Sequence, residues 1–290
     1  METVTRNRSS ASGDGLPAPL QGKYLVLKEK LRGLESVLVA YSGGVDSALL
    51  ARVAHDVLGD SAVALTAVSA SLAAEERAGA ADLARTIGIR HLEVESGEFE
   101  NAEYLRNSAD RCFHCKRELF SVAAREIQRL GLRSVVYGAI TDDLRDVRPG
   151  MRAAEAAGAR APLLEAGFSK EDVRTLSRFL GLAAWDKPAA PCLSSRVPHG
   201  NPIRIGTLRR VERLEAFLRR SGFQVCRVRV DGESARIEVE PARVRDLLCE
   251  PLRAELVEEG LRAGFNRVSV DLQGYRDPQG GGAAPAGRAV

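Results

Sequence analysis

No apolar run in this chain approaches the roughly 18 residues that read as a membrane span, so neither a helical membrane protein nor a membrane partner is expected. Cysteine is scarce and odd in number, five in 290 residues (Cys112, Cys115, Cys192, Cys226 and Cys249). The opening stretch, METVTRNRSSASGDGLPAPLQG, lacks the apolar h-region of a secretory signal. Together these argue against a disulfide framework and for reduced thiols in a cytoplasmic protein. An excess of one charge is missing too. Lys and Arg number 42 against 39 Asp and Glu, and the formal net charge of +3 does not by itself mark a nucleic-acid binder. There is no internal repeat, no glutaminase segment, no recognisable RNA-binding module and no zinc ribbon.

What is present suits a globular chain of one large or two modest domains, with 44% apolar and 28% charged residues. Short, mostly apolar runs at 35–42, 61–70 and 134–140, and the stretch RHLEVES at 90–96, read as strands. Segments with helical spacing lie between them at 46–59, 72–88 and 116–131. This alternation predicts an α/β fold, a mostly parallel sheet with helices on both faces, whose ligands gather at the carboxyl ends of the strands. Beyond a helix at 170–182 and a Pro-broken loop at 185–202, the pattern changes to a basic helix (206–221), a hairpin (224–240) turning at Asp231-Gly232, a helix (241–263) and a strand (267–272). The expected organisation is a disordered segment (1–20), a nucleotide-binding domain (21–200), a small α+β domain (201–276) and a disordered tail (277–290).

The stretch SGGVDS, residues 42–47, joins a strand to a helix. Gly43 and Gly44 let backbone N–H groups close on an anion, the helix N-terminus adds partial positive charge, and the Ser42 and Ser47 hydroxyls can donate to phosphate oxygens. Asp46 stands where a helix N-cap is common. The loop lacks the Gly-Lys-Ser/Thr ending of a Walker A sequence, so γ-phosphoryl transfer is not the first expectation.

Three other stretches carry candidate chemistry. After the fourth strand, Asp142, Asp143, Asp146 and Arg148 can hold magnesium and an anion, or form a solvated acidic loop. In KPAAPCLSSRVPHG, Cys192 lies between prolines with Arg196 four residues on, a cation suited to favouring the thiolate. Cys226 and Cys249 fall inside strand and helix patterns and read as structural. RCFHCK places Cys112 and Cys115 three apart, and this CxxC alone leaves an iron–sulfur cluster, a zinc site with His114 as spare ligand, and a redox dithiol open. Phe113 and His114 can line a pocket or simply pack.

SGGVDS resembles the PP-loop of ATP pyrophosphatases, which cleave ATP between its α and β phosphates and adenylate a carbonyl or carboxyl oxygen. SGGVDS, RCFHCK, DDLRDVRPG and KPAAPCLSSR, in that order across about residues 22–275, resemble the LarE family of ATP-dependent sulfur transferases. That resemblance implies adenylation of the carboxylates of pyridinium-3,5-biscarboxylic acid mononucleotide and their conversion to thiocarboxylates, for the nickel-pincer cofactor of lactate racemase and related enzymes. It implies ATP and Mg2+ at the loop, with Asp46 acting through magnesium and pyrophosphate, and a homo-oligomer, trimer or hexamer. It also implies two sulfur strategies. In one, Cys192 is sacrificed and becomes dehydroalanine. In the other, three cysteines hold a 4Fe-4S cluster whose open iron carries the donated sulfide. Cys112, Cys115 and Cys192 favour the cluster, with the sulfide source unknown.

The small domain is basic, with eight arginines against Glu212 and Glu215 in residues 201–230. Arg227 and Arg229 alternate on a strand and so face one side, a geometry that can clamp a substrate phosphate. The helical arginines read as a solvated face, and Glu215 is carried over as part of an inter-subunit metal site. Two other classes compete: a tRNA thiolation enzyme using the basic patch, and a nucleotide-binding protein without catalysis. An amidotransferase would need the missing glutaminase.

Overall fold

The computed structural model describes residues 15–145 and 149–275. Most of the two terminal stretches expected to be disordered, and Asp146 and Arg148, lie outside the described residues. The chain divides into two compact units. One holds the described residues up to Val68 together with Ala74–Glu98 and Cys112–Ala190, and the other holds Ser69–Ala73, Phe99–Arg111 and the described residues from Pro191 onward.

The first unit contains α1 (Ala18–Leu34), β1 (Val37–Ala40), α2 (Val45–Leu58), β2 (Ala62–Val68), α3 (Ala74–Ile87) and β3 (Arg90–Glu95). In chain order, α4 (Ala102–Leu105) belongs to the second unit, and α5 (Arg111–Leu130) starts there and continues in the first. The first unit is completed by β4 (Ser134–Tyr137), α6 (Pro149–Ala156), α7 (Pro162–Glu165) and α8 (Lys170–Phe179). Its sheet has the order β3-β2-β1-β4 with every pair parallel. Alternation in the strands feeds two cores. Val37, Val39, Ala62, Ala64 and Val136 face the core shared with α1, α2, α3 and α8. Leu38, Val63, Leu65 and Val135 face the one shared with α5 and α6. Both faces are therefore covered, which is why β1, β2 and β4 are largely apolar, while the edge strand β3 alternates polar and apolar residues. Because β2 and β4 flank β1, the strand order reverses between β1 and β4, and a crevice at such a reversal is where open α/β sheets bind ligands.

Two helices differ from expectation. α1 begins at Ala18, inside the stretch read as a disordered lead-in, because Leu20, Tyr24, Leu27 and Leu31 form a buried stripe at spacings of four, three and four. α5 begins at Arg111 rather than near 116, so RCFHCK forms its first turns.

The second unit holds α9 (Ile205–Arg220), β5 (Cys226–Asp231), β6 (Ser234–Val239), α10 (Leu252–Ala263) and β7 (Arg267–Val270). β5 and β6 form the expected antiparallel hairpin, with Gly232 supplying the positive φ of its turn, and β7 joins parallel to β6. The single helix expected at 241–263 is instead a 3₁₀ segment, Pro241–Leu248, followed by α10. Pro251 cannot donate the N–H that a continuous helix would need there. Leu208, Val211, Leu214 and Leu218 of α9 are buried, as are Val228, Ile237 and Val239 of the hairpin.

Candidate functional site

In the first unit, SGGVDS turns from β1 into α2 at the strand-order reversal. Gly43 has φ +70°, and a Cβ there would meet the Ala80 Cβ at 2.7 Å, so only glycine fits. Gly44, not Asp46, is the N-cap of α2, and no side chain caps it. The first-turn N–H groups therefore remain for an anion. The Ser42 and Ser47 hydroxyls lie 3.2 Å apart, and Ser47 Oγ donates to the Gly44 carbonyl at 3.0 Å. The loop is thus shaped by its own side chains before any ligand arrives. Across the reversal, a Cβ on Gly138 would lie 3.0 Å from the Ser47 nitrogen, which brings the end of β4 against the first turn of α2.

Asp46 does not cap its helix because Lys170, first residue of α8, holds it. Lys170 Nζ donates to both Asp46 carboxylate oxygens, at 2.8 and 2.9 Å, and the Lys170 backbone N–H donates to Asp142 Oδ2 at 2.9 Å. Burial pushes the Asp46 carboxyl up, Lys170 opposes this, Asp143 adds to it and Arg174 opposes it. Asp143 Oδ2 accepts the Ile140 N–H at 3.0 Å. α8 is fixed by a capping box between Ser169 and Asp172. On the other flank of the loop, Lys187 Nζ lies 2.7 Å from Glu76 and 3.4 Å from the Gly43 carbonyl. A cavity of about 310 Å³ there is lined by Gly43, Gly79, Leu83, Ala184, Asp186 and Lys187. Sequence reasoning missed Lys170 and Lys187. The signal available for Lys170 was a lysine just after the Ser of a capping box.

Cys112 is exposed and Cys115 half-buried, one turn apart on one face of α5. His114 is buried and points roughly 200° around the helix from Cys112. Phe113 packs on the sheet-face core with the Arg117 and Arg152 guanidiniums 5.9 and 5.8 Å from its ring centre, so it serves packing. Oxygen donors at Asp46, Asp142 and Asp143 are chemically suited to magnesium. Two thiolates one turn apart suit a soft metal. Within either unit, the described residues gather no three His, Cys, Asp or Glu side chains into a metal-sized group, and the third candidate thiolate, Cys192, belongs to the other unit.

In the second unit, Cys192 precedes a short 3₁₀ turn, Leu193–Arg196, and is half-buried. Guanidiniums from three elements hold this turn by its carbonyls. Arg196 Nη1 donates to Pro191 O at 2.5 Å and Cys192 O at 3.1 Å, Arg111 Nη1 to Ser194 O at 2.9 Å, and Arg229 Nη1 to Ser195 O at 3.0 Å. Asn107, fully buried, donates through Nδ2 to the carbonyls of Val197, Pro198 and Asn201. The Tyr104 hydroxyl meets Ser194 Oγ at 2.6 Å. Arg196 is not arranged as the thiolate's counter-ion: it is 3% exposed and bound bidentately to Glu215 at 2.8 and 2.9 Å. Glu215 is 0% exposed and also accepts from Arg219 and the Val228 N–H. That corrects its expected place in a metal site between subunits, since its lone pairs are committed inside the unit.

Arg227 and Arg229 do face one side, as the strand alternation requires. With Arg111, Ser195, His199 and Tyr275 they line a second cavity of about 310 Å³. Arg227 stacks on Tyr275, 4.7 Å from the ring centre, and Arg229 is tied to Glu238 at 3.0 Å. Burial, and then the charge of Arg196, push the Arg227 guanidinium below its ordinary value. Among the described residues no carboxylate lines this cavity, so it suits an anion.

A family profile for NAD synthase matches residues 22–128. An uncharacterized protein of Synechocystis sp. is 46% identical over 257 residues, 89% of this chain and 96% of the relative. The pyridinium-3,5-bisthiocarboxylic acid mononucleotide synthase of Lactiplantibacillus plantarum is 36% identical over 261 residues, 89% of this chain and 94% of the relative. An uncharacterized protein of Methanocaldococcus jannaschii is 26% identical over 250 residues, 86% of this chain and 94% of the relative.

Proposed function

Because this chain belongs to the LarE-like family of PP-loop ATP pyrophosphatases, we propose that it is an ATP-dependent sulfur transferase acting on a pyridinium biscarboxylate mononucleotide. The observation that carries this reading is the second-unit cavity, which Arg227 and Arg229 line with no carboxylate among the described residues, while Arg229 also holds the turn that bears Cys192. An anionic substrate and a sulfur-bearing residue are thereby served by the same side chain. The L. plantarum relative, a pyridinium-3,5-bisthiocarboxylic acid mononucleotide synthase, supports the substrate class.

The chemistry has two steps, adenylation and sulfur transfer. A substrate carboxylate attacks the α-phosphorus of ATP, the bond to the β-phosphate breaks, and pyrophosphate leaves from an acyl-adenylate. The first-turn N–H groups of α2 and the loop hydroxyls take the pyrophosphate oxygens, with Lys170 orienting Asp46 beside them. Magnesium, held by phosphate oxygens of ATP together with Asp46, would neutralise phosphate charge. A sulfur nucleophile then adds to the acyl carbon and AMP departs, leaving the thiocarboxylate. A 4Fe-4S cluster on Cys112, Cys115 and Cys192 would supply that sulfur as sulfide; this rests on the three cysteines and their spacing. In the second reading, favoured by the half-buried, carbonyl-anchored Cys192, its thiolate forms a thioester. Loss of the Cys192 Cα proton with cleavage of Cβ–S then gives the thiocarboxylate and dehydroalanine.

The test is anaerobic turnover with ATP, magnesium, sulfide and the biscarboxylate mononucleotide. Pyrophosphate release with O-to-S exchange in the product supports the reading, and pyrophosphate release on tRNA but not on the mononucleotide refutes it. Iron and labile-sulfide content of the reconstituted protein, with the intact mass after turnover, separates the two sulfur sources.

A further inference from the structure

The arginine that opens RCFHCK is explained by none of the cysteine readings. Arg111 is 6% exposed, and both of its hydrogen bonds go to neutral oxygens: Nη1 to Asn107 Oδ1 at 2.6 Å and to Ser194 O at 2.9 Å. Among the described residues it has no carboxylate at ion-pair distance. The other buried guanidinium of the same turn shows what a purely structural arginine looks like here, since Arg196 is closed bidentately on Glu215. A buried cation without a counter-charge is costly unless something compensates it. A guanidinium has five N–H donors in a fixed fork, and both protein bonds of Arg111 use the same nitrogen. Among the described residues, the cavity that Arg111 lines with Arg227, Arg229 and His199 has no acidic side chain in its lining.

We propose that Arg111 is the third guanidinium of an oxyanion site in this cavity, and that its missing counter-charge is a carboxylate or phosphate of the ligand. The ligand's identity as a pyridinium mononucleotide rests on the functional reading above; the oxyanion chemistry does not. One edge of Arg111 holds Ser194 in the turn after Cys192, and its remaining edge is left for the anion. A single planar group therefore sets the distance between a bound oxyanion and the Cys192 turn, as Arg229 does through Ser195.

The test compares wild type with Arg111→Lys, Arg111→Gln and Arg111→Met. The full chain is saturated with magnesium and a non-hydrolysable ATP analogue, so that the PP-loop is filled. Inorganic phosphate and nicotinate mononucleotide, a pyridinium mononucleotide with one carboxylate, are titrated calorimetrically, and melting without ligand is recorded for each variant. Arg111→Gln and Arg111→Met should lose roughly ten- to hundred-fold in affinity, as for removal of a charge-assisted pair, while Arg111→Lys stays within a few-fold of wild type. If Arg111→Met unfolds, the Lys and Gln variants decide: both can donate to Ser194, and only one carries charge. Equal affinity in Lys and Gln variants overturns the inference. If the mononucleotide binds all variants alike, the inference falls and the substrate reading stands. Charge-dependent binding of phosphate with no binding of the mononucleotide leaves the inference standing and removes the substrate reading.

Discussion

Replacing Arg196 by Met tests whether the ionic hub beneath the Cys192 turn is as costly to break as its burial implies. Arg196 and Glu215 are 3% and 0% exposed and joined by two hydrogen bonds. Removing one partner of such a pair leaves the other charged in a poor solvent, at about 3–5 kcal/mol. Arg219 at 2.9 Å and the Val228 N–H at 3.0 Å still serve Glu215, which places the expected loss near the lower end, about 3 kcal/mol. For a protein of this size that corresponds to a fall in Tm of roughly 6–12 °C. Calorimetric unfolding of wild type, Arg196→Met and Arg196→Met/Glu215→Met is the assay. The double variant should recover part of the loss, because the uncompensated carboxylate is gone and Arg219, 16% exposed, can turn to water. A single-variant loss below about 1 kcal/mol, the range of surface ion pairs, or a double variant less stable than the single one, would refute the reasoning.

Gly43→Ala places a methyl 2.7 Å from the Ala80 Cβ at a backbone φ of +70°, so ATP-dependent pyrophosphate release should be abolished, and retention of wild-type turnover would show that the loop can be remodelled. Burial, with help from Glu215, pushes the Cys226 thiol up to about 11; peptide-resolved alkylation at pH 8 should label exposed Cys249 and spare Cys226, and equal labelling would contradict this environment. Burial pushes the Asp172 carboxyl up, but Lys23 and the Ser169 N–H and hydroxyl outweigh it and hold it below its ordinary value. Its folded pKa therefore lies below the unfolded one of about 3.9, so its stabilisation is complete above that value and is lost as pH falls through the folded pKa. Asp172→Asn should cost about 1 kcal/mol at pH 7 and flatten the acid limb of the stability curve, and an unchanged limb would exclude this carboxyl as its source.

Three of the parallel strands were legible as short apolar runs closed by a turn, the edge strand β3 by its alternating Leu92 and Val94, and the hairpin because Asp231-Gly232 interrupts alternation. α1 was masked by the Ser/Gly/Pro-rich stretch before it, although its stripe from Leu20 to Leu31 is regular. The start of α5 was hidden because RCFHCK reads as polar loop chemistry until Phe113 is seen packed on the sheet. Nothing local signals that Ser69–Ala73 and Phe99–Arg111 leave the first unit for the second, since that depends on partners such as Leu193, whose N–H donates to Ser71 O, and Ile203, whose N–H donates to Leu105 O.

By itself the sequence determined the α/β class, the anion-binding turn after β1 and the reactive residue types, because periodicity, glycine conformation and side-chain chemistry are local properties. Tertiary structure alone decided their partners. It gave Asp46 to Lys170, 124 positions away, and Arg196 to Glu215 rather than to the Cys192 thiol. It left Arg111 buried with no carboxylate at ion-pair distance among the described residues. Ion pairing and desolvation depend on which groups burial brings together, and sequence spacing does not encode those distances.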